Sequence, residues 1–201
     1  MKTESWRVFL VVLCITAFSA QPVYADGVKT PEDLRNADIE TLVAQPRFDS
    51  REYAVVTPVR DQGNTSLCWA YSAASASETS VLRKGIDAGV TARTWFLSPQ
   101  QIGYVRHKRG ADSLGNTAGE TTAQSGEWAY SDGGVTYAAG LLSTWCGPIA
   151  ANLPYNVNGW DSAAYKLQSA ILVNGNNLAQ SAEARGKMKR AIVKYGEVTF
   201  S

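Results

Sequence analysis

The chain has a single histidine, His107, and only three cysteines, Cys14, Cys68 and Cys146, among its 201 residues. A structural zinc site draws closely spaced Cys and His ligands, and no such spacing exists here, so no metal is expected. A small fold stapled by disulfides is excluded as well, since it needs more cysteines in a shorter chain. Charge of one sign is lacking: 19 Lys and Arg face 18 Asp and Glu, leaving a formal net charge of +1. That balance gives no overall field to draw in nucleic acid or an anionic membrane, so neither is an expected partner. The apolar run from Val8 to Ile15, extended by Ala17 and Phe18, is shorter than the roughly 20 residues that span a bilayer.

What is present is apolar material for a packed core, 45% of the residues. With this length it predicts one ordinary domain plus a short leader, and excludes collagenous, coiled-coil and generally disordered chains. Lys2 and Arg7 ahead of the apolar run, and Val23-Tyr24-Ala25 behind it, read as a signal peptide over residues 1–25,. An uncleaved anchor is the competing reading, and the polar Ser19–Gln21 spacer argues against it. Export to a secreted or periplasmic location follows, with no stable membrane insertion after cleavage. The mature chain is formally neutral and keeps only Cys68 and Cys146, so it can form at most one internal disulfide.

Residues 26–47 read as a short, polar, propeptide-like lead-in holding one helical turn. Phe48–Val59 mixes charged and β-branched residues, and Pro58 limits it to an edge strand or extended segment. A Gly-bearing loop at Gln62–Thr65 leads to a helix from Cys68 to Lys84, capped by Gly85. Ser98-Pro99-Gln100-Gln101 opens a second, shorter helix, with a capping hydroxyl, proline in the first turn and a Leu97–Ile102 staple. Lys108–Glu127, rich in Gly, Ser, Thr and charge, is expected to be a long exposed loop. Gly133-Gly134 precedes a third helix carrying Tyr137, Ala138, Leu141, Leu142 and Trp145, stopped by Gly147-Pro148. The last helix runs from about Ala182 to Tyr195, with Gly196 as its stop and a strand starting at Val198.

Cys68 is the chemical candidate. A thiol at a helix N-terminus meets partial positive charge and unpaired N–H groups, which favour the nucleophilic thiolate. The competing reading is an inert cysteine packed beside Trp69.

The stretch Val59-Arg60-Asp61-Gln62-Gly63-Asn64-Thr65-Ser66-Leu67-Cys68-Trp69-Ala70-Tyr71-Ser72 resembles the active-site segment of papain-like cysteine peptidases. So do Phe48-Asp49-Ser50-Arg51, Leu97-Ser98-Pro99-Gln100-Gln101, Ser131-Asp132-Gly133-Gly134 and the helix-Gly-x-Val run ending at Val198. The resemblance covers roughly residues 46–201 and is strongest at 55–75. It implies an α+β papain-like fold, represented mainly by the helical N-terminal subdomain with the start of the β-rich one. It also implies a peptidase domain over 48–201, C-terminally incomplete, acting on peptide or protein substrates with no cofactor. Cys68 would be the nucleophile. Gln62, six residues ahead of it, and the Cys68 backbone N–H would donate to the oxyanion, each donor contributing about 3 kcal/mol in such sites. Gly134 would lie along the substrate backbone, with Gly133, Trp69 and Ser66 completing the substrate-binding set.

Several positions depart from the family pattern. Thr65 and Ser131 stand where the family usually carries two bridged cysteines, which points to a lineage without that bridge. Ser66-Leu67 replaces a Gly-Ser pair ahead of the nucleophile. Gly147-Pro148 resembles a turn of bacterial-type branches, and Cys146 reads as a free, mostly buried thiol. The largest departure is the base. Cysteine peptidases need an imidazole, usually oriented by an Asn, and no histidine follows His107. His107 itself, in Arg106-His107-Lys108-Arg109, reads as part of a solvated basic helix end rather than a base. The chain is therefore read as truncated before the family's His and Asn, and inactive as 201 residues. The alternative is a non-catalytic peptide- or partner-binding homologue. A carbohydrate- or surface-binding role rests only on six Trp and nine Tyr, which more often serve cores and turns,. Asn64-Thr65-Ser66 fits a glycosylation acceptor pattern too short to be decisive, and the basic residues Lys187, Lys189, Arg190 and Lys194 read as a solvated helix surface.

Overall fold

Short-range capping signals define most of the elements. The computed structural model describes residues 29–107, 127–143, 149–152, 165, 167–170 and 181–198. They contain α1 (Pro31–Asn36), α2 (Ile39–Ala44), a 3-10 turn at Ser50–Tyr53, α3 (Cys68–Lys84) and α4 (Pro99–His107). A second 3-10 turn at Trp128–Tyr130, α5 (Val135–Leu142) and α6 (Ala182–Tyr195) follow. Strand pairing among the described residues is one antiparallel bridge between Leu97 and Ala150. This is the helical character that the resemblance implies for the N-terminal subdomain. The readings made for the leader, Cys14, the loop at 108–126, Trp145 to Pro148 and the strand beyond Val198 fall outside the described residues.

The predicted ends of α3, α4 and α6 are found with their physical causes. Gly85 takes a left-handed φ of 61° after α3, and its N–H bonds back to Leu82,. Ser98 Oγ accepts from the Gln101 N–H at 3.1 Å, and Leu97 and Ile102 both enter one core cluster. Ser181 Oγ accepts from Ala184 N–H at 3.0 Å, while Gly196, at φ 91°, ends α6 and donates its N–H to the Ile192 carbonyl at 2.7 Å.

Two apolar clusters flank α3. The first gathers Leu67, Trp69, Ala70, Ala73 and Ala74 from its start with Leu97, Ile102, Ala138 and Leu142. Small alanines on this face let α4 and α5 approach closely. The second joins Leu82, near the end of α3, to Leu34, Leu42, Tyr53, Val55, Ala92 and Val193.

Three expectations are corrected. The lead-in is two helices, not a single turn, and it belongs to the core: Leu34 and Leu42 are buried. Each helix has its own cap, a reciprocal Thr30–Asp33 box for α1 and Asp38 accepting from Thr41 N–H at 2.8 Å for α2. Second, the described residues hold no strand between Phe48 and Val59. The Asp49 carboxylate accepts from Arg51 N–H at 3.0 Å and grips the Arg51 guanidinium, folding 50–53 into the 3-10 turn that ends at Ala54 with φ 54°. Third, His107 is not solvated. It is 4% exposed, because the inner face of α4 carries it along with Gly103.

Candidate active site

Cys68 is the first residue of α3, exposed, and not in a disulfide. The residue before it, Leu67, makes no side-chain capping bond to the helix. The first N–H groups of an α-helix have no partner within it, so the end of α3 beside the thiol offers donors that no capping side chain consumes. Leu67 is instead an anchor, 1% exposed, and Gly103 of α4 makes room for it. A Cβ at Gly103 would stand 2.5 Å from Leu67 Cδ2.

The loop ahead of the thiol closes on itself. Gln62 Nε2 donates to the Thr65 carbonyl at 2.6 Å, and Thr65 Oγ1 donates back to the Gln62 carbonyl at 2.9 Å. Gly63, at a left-handed φ of 61°, bonds its N–H to Asp61 Oδ1 at 2.8 Å,. The Gln62 amide is thereby held half-buried with one of its two N–H groups committed to the loop,. Ser66 donates its N–H to the Ala129 carbonyl at 2.8 Å and so ties this loop to the second 3-10 turn. Thr65 and Ser131 use their hydroxyls within their own segments, the latter donating to the Glu127 carbonyl at 3.0 Å. The cross-link between segments at this point is thus a backbone hydrogen bond.

Trp69, buried against the first cluster, meets Gly133 directly. A Cβ at Gly133 would lie 2.6 Å from indole Nε1, inside the ring's van der Waals shell. Gly134 is different: its nearest neighbour would be Tyr137 Cδ2 at 4.0 Å, so its backbone borders open space at the start of α5. The exposed Tyr137 ring stacks under the Arg106 guanidinium at 4.1 Å. The structure thus joins Trp69 to Gly133 by contact and Ser66 to the segment that precedes them.

Sequence reasoning missed the group that fastens this site from behind. Glu78, fully buried on α3, accepts from Leu97 N–H at 2.7 Å, from Arg60 Nη2 at 2.8 Å and from Thr57 Oγ1. Arg60 also donates to the Leu97 carbonyl at 2.7 Å. Burial pushes the Glu78 carboxyl above its ordinary value, while Thr57, Leu97 and Arg60 pull it back,. The network joins the segment entering the Gln62 loop to α3 and to the start of α4. The signal was present in the sequence, since a carboxylate interrupts the small-residue row Ala70, Ala74, Glu78.

Among the described residues no group of three or more His, Cys, Asp or Glu is placed to hold a metal, and no helix is long and apolar enough to cross a membrane. A groove of about 330 Å³ lies between Val56–Arg60, Tyr71, Ser75 and Glu197, and none of the site residues predicted from sequence lines it.

A family model described as "Papain family cysteine protease" matches residues 44–201. A "Probable cysteine protease RD19B" from Arabidopsis thaliana is 26% identical over 177 residues, 87% of this chain and 45% of that protein. "Probable cysteine protease RD19C" from the same plant is also 26% identical, over 87% of this chain and 43% of its own length. A "Cathepsin L-like proteinase" from Phaedon cochleariae is 39% identical over 71 residues, 35% of this chain and 20% of that protein. The chain spans less than half the length of these relatives, and no solved structure matches it. With the family match running through the Gln62 loop, Cys68 and the Gly133-Gly134 turn, the chain belongs to the papain family of cysteine proteases.

Proposed function

We propose that this chain is the nucleophile-bearing part of an exported cysteine peptidase that hydrolyses peptide bonds through a thioester on Cys68. The observation that carries the reading is the exposed thiol on the first turn of α3, directly after the self-closed Gln62 loop. The Cys68 thiolate attacks the scissile carbonyl carbon, forming a C–S bond and moving the π electrons onto oxygen. That oxyanion is received by the second Nε2–H of Gln62 and by the Cys68 N–H. Collapse breaks the C–N bond, and the amine leaves with a proton from an imidazolium. Water then attacks the thioester carbonyl as its proton passes to the now neutral imidazole, and the C–S bond breaks, releasing the acid and restoring thiolate and imidazolium.

Substrate backbone runs along Gly134, where a side chain is absent and the surface is open, beside Gly133, Trp69 and Ser66. The mechanism requires an imidazole, and the single histidine among these 201 residues, His107, is buried in α4. On their own the 201 residues do not turn over peptide. Residues 1–25 act as the export leader, supported by Lys2, Arg7, the apolar run and Val23-Tyr24-Ala25. Gly147-Pro148 supports a bacterial-type branch. The test is hydrolysis of a fluorogenic peptide by the full-length product and its Cys68→Ala variant. Loss of hydrolysis in the variant supports the proposal. Unchanged turnover overturns it, and tight peptide binding without turnover by either protein favours the non-catalytic homologue.

A further inference from the structure

We infer that residues 29–46 are a permanent clasp of the folded domain and not a removable cover of its cleft. The segment carries α1 and α2, and α1 lies ahead of residue 44, where the family match begins. Its apolar residues complete a core. Leu34 and Leu42 are buried among Tyr53, Val55, Leu82 and Val193, with Ala37, Ile39 and Val43 packed at the margin. Without them those four residues would form an apolar socket open to water, and burial of such surface is the main force available to hold the segment down.

Polar contacts fix the orientation. Arg35 Nη1 donates to the Arg83 carbonyl at 3.1 Å, supplying a partner at the end of α3, where helical carbonyls lack one,. Lys189 Nζ donates to the Gln45 carbonyl at 3.1 Å, Arg190 pairs with Glu40, and Lys29 reaches Glu52 at 3.3 Å. The basic surface of α6 therefore has an intramolecular use, which is to receive α2.

Position along α3 separates this role from that of a cover. Leu82 follows Cys68 by 14 residues, about 21 Å at 1.5 Å per residue,. The thiol is exposed while the clasp is seated. Closing the far end of α3 and opening the cleft are therefore compatible, and the inference holds whether or not Cys68 hydrolyses peptides.

Hydrogen–deuterium exchange of the full-length protein tests this without altering it. The hydrogen-bonded amides of 31–45 are expected to exchange within about tenfold of those at 80–84 and 191–195, as parts of one cooperative unit. Exchange a hundredfold faster than α6 overturns the clasp. Leu42→Ala provides the second measurement. Its thermal midpoint is expected to fall by about 5–15 °C, while the iodoacetamide alkylation rate at Cys68, read by peptide mapping, stays within twofold of the parent. A tenfold faster alkylation at Cys68 would make the segment a cover and contradict the inference.

Discussion

The two ends of α3 are built on opposite terms. At the first turn stand an exposed thiol, a residue before it that makes no side-chain cap, and Trp69 packed on Gly133, whose chain neighbour Gly134 borders open space. At the last turn Gly85 closes the helix, Arg35 takes a terminal carbonyl, and Leu82 is buried under α1 and α2. One end leaves donors and space for something to arrive, while the other leaves little unfinished. A single helix can serve both purposes because Glu78, between them, anchors the site's supporting segments to the rigid middle.

The sharpest way to break this contrast is to remove what the open end offers. Cys68→Ala is expected to lower peptide hydrolysis by the full-length product by at least about 10³-fold. Its thermal midpoint should stay close to the parent's, since the thiol lies at the surface. Next comes the middle: Glu78→Ala leaves Arg60, Thr57 and the Leu97 N–H without their shared acceptor and should cost about 3–5 kcal/mol by chemical denaturation. Should it cost under about 1 kcal/mol, the anchor role fails.

The adjacent glycines give a finer comparison. Gly133→Ala drives a methyl into the Trp69 indole and is expected to destabilise by about 1–3 kcal/mol,. Gly134→Ser meets no neighbour and occupies a helix N-cap position, so stability should change by less than about 0.5 kcal/mol,. Peptide hydrolysis by the full-length product should nevertheless show a raised KM for Gly134→Ser. Equal melting losses for the two variants would dissolve the distinction.

The smallest effect concerns acid. Hydrogen bonds from Arg51 hold the Asp49 carboxyl well below its ordinary value of 3.8. Its contribution is therefore present above that pH and lost as pH falls toward the folded-state value. Asp49→Asn should lower the thermal midpoint by a few degrees at pH 6, and the difference should shrink progressively below about pH 4.

Local chemistry explains which parts were legible in the sequence. Gly85, Ser98-Pro99 and Gly196 act within a turn of their own positions, and α3, α4 and α6 end or begin where those residues predict. The lead-in escaped because Leu34 and Leu42 look sparse in a polar segment, and their burial depends on Leu82 and Val193 far along the chain. Phe48–Val59 looked extended because its β-branched residues outweighed one short-range bond, Asp49 to Arg51. His107 looked solvated from its basic neighbours in sequence, whereas its position on the inner face of α4 decided its burial. For the proposed site, the motif nominates Cys68, Gln62 and the glycine pair. The Ser66–Ala129 bond and the Glu78 network join residues 63 and 19 positions apart and needed the fold to be seen.

Covalent labelling asks whether Cys68 carries the reacting sulfur. The full-length protein would be treated with a peptidyl chloromethyl ketone and mapped by mass spectrometry while hydrolysis of a fluorogenic peptide is followed. One label per chain, on Cys68, with hydrolysis falling in proportion to labelling, is the result expected of a nucleophilic Cys68. Full hydrolysis with Cys68 completely labelled, or a label carried by another residue as activity is lost, would contradict it.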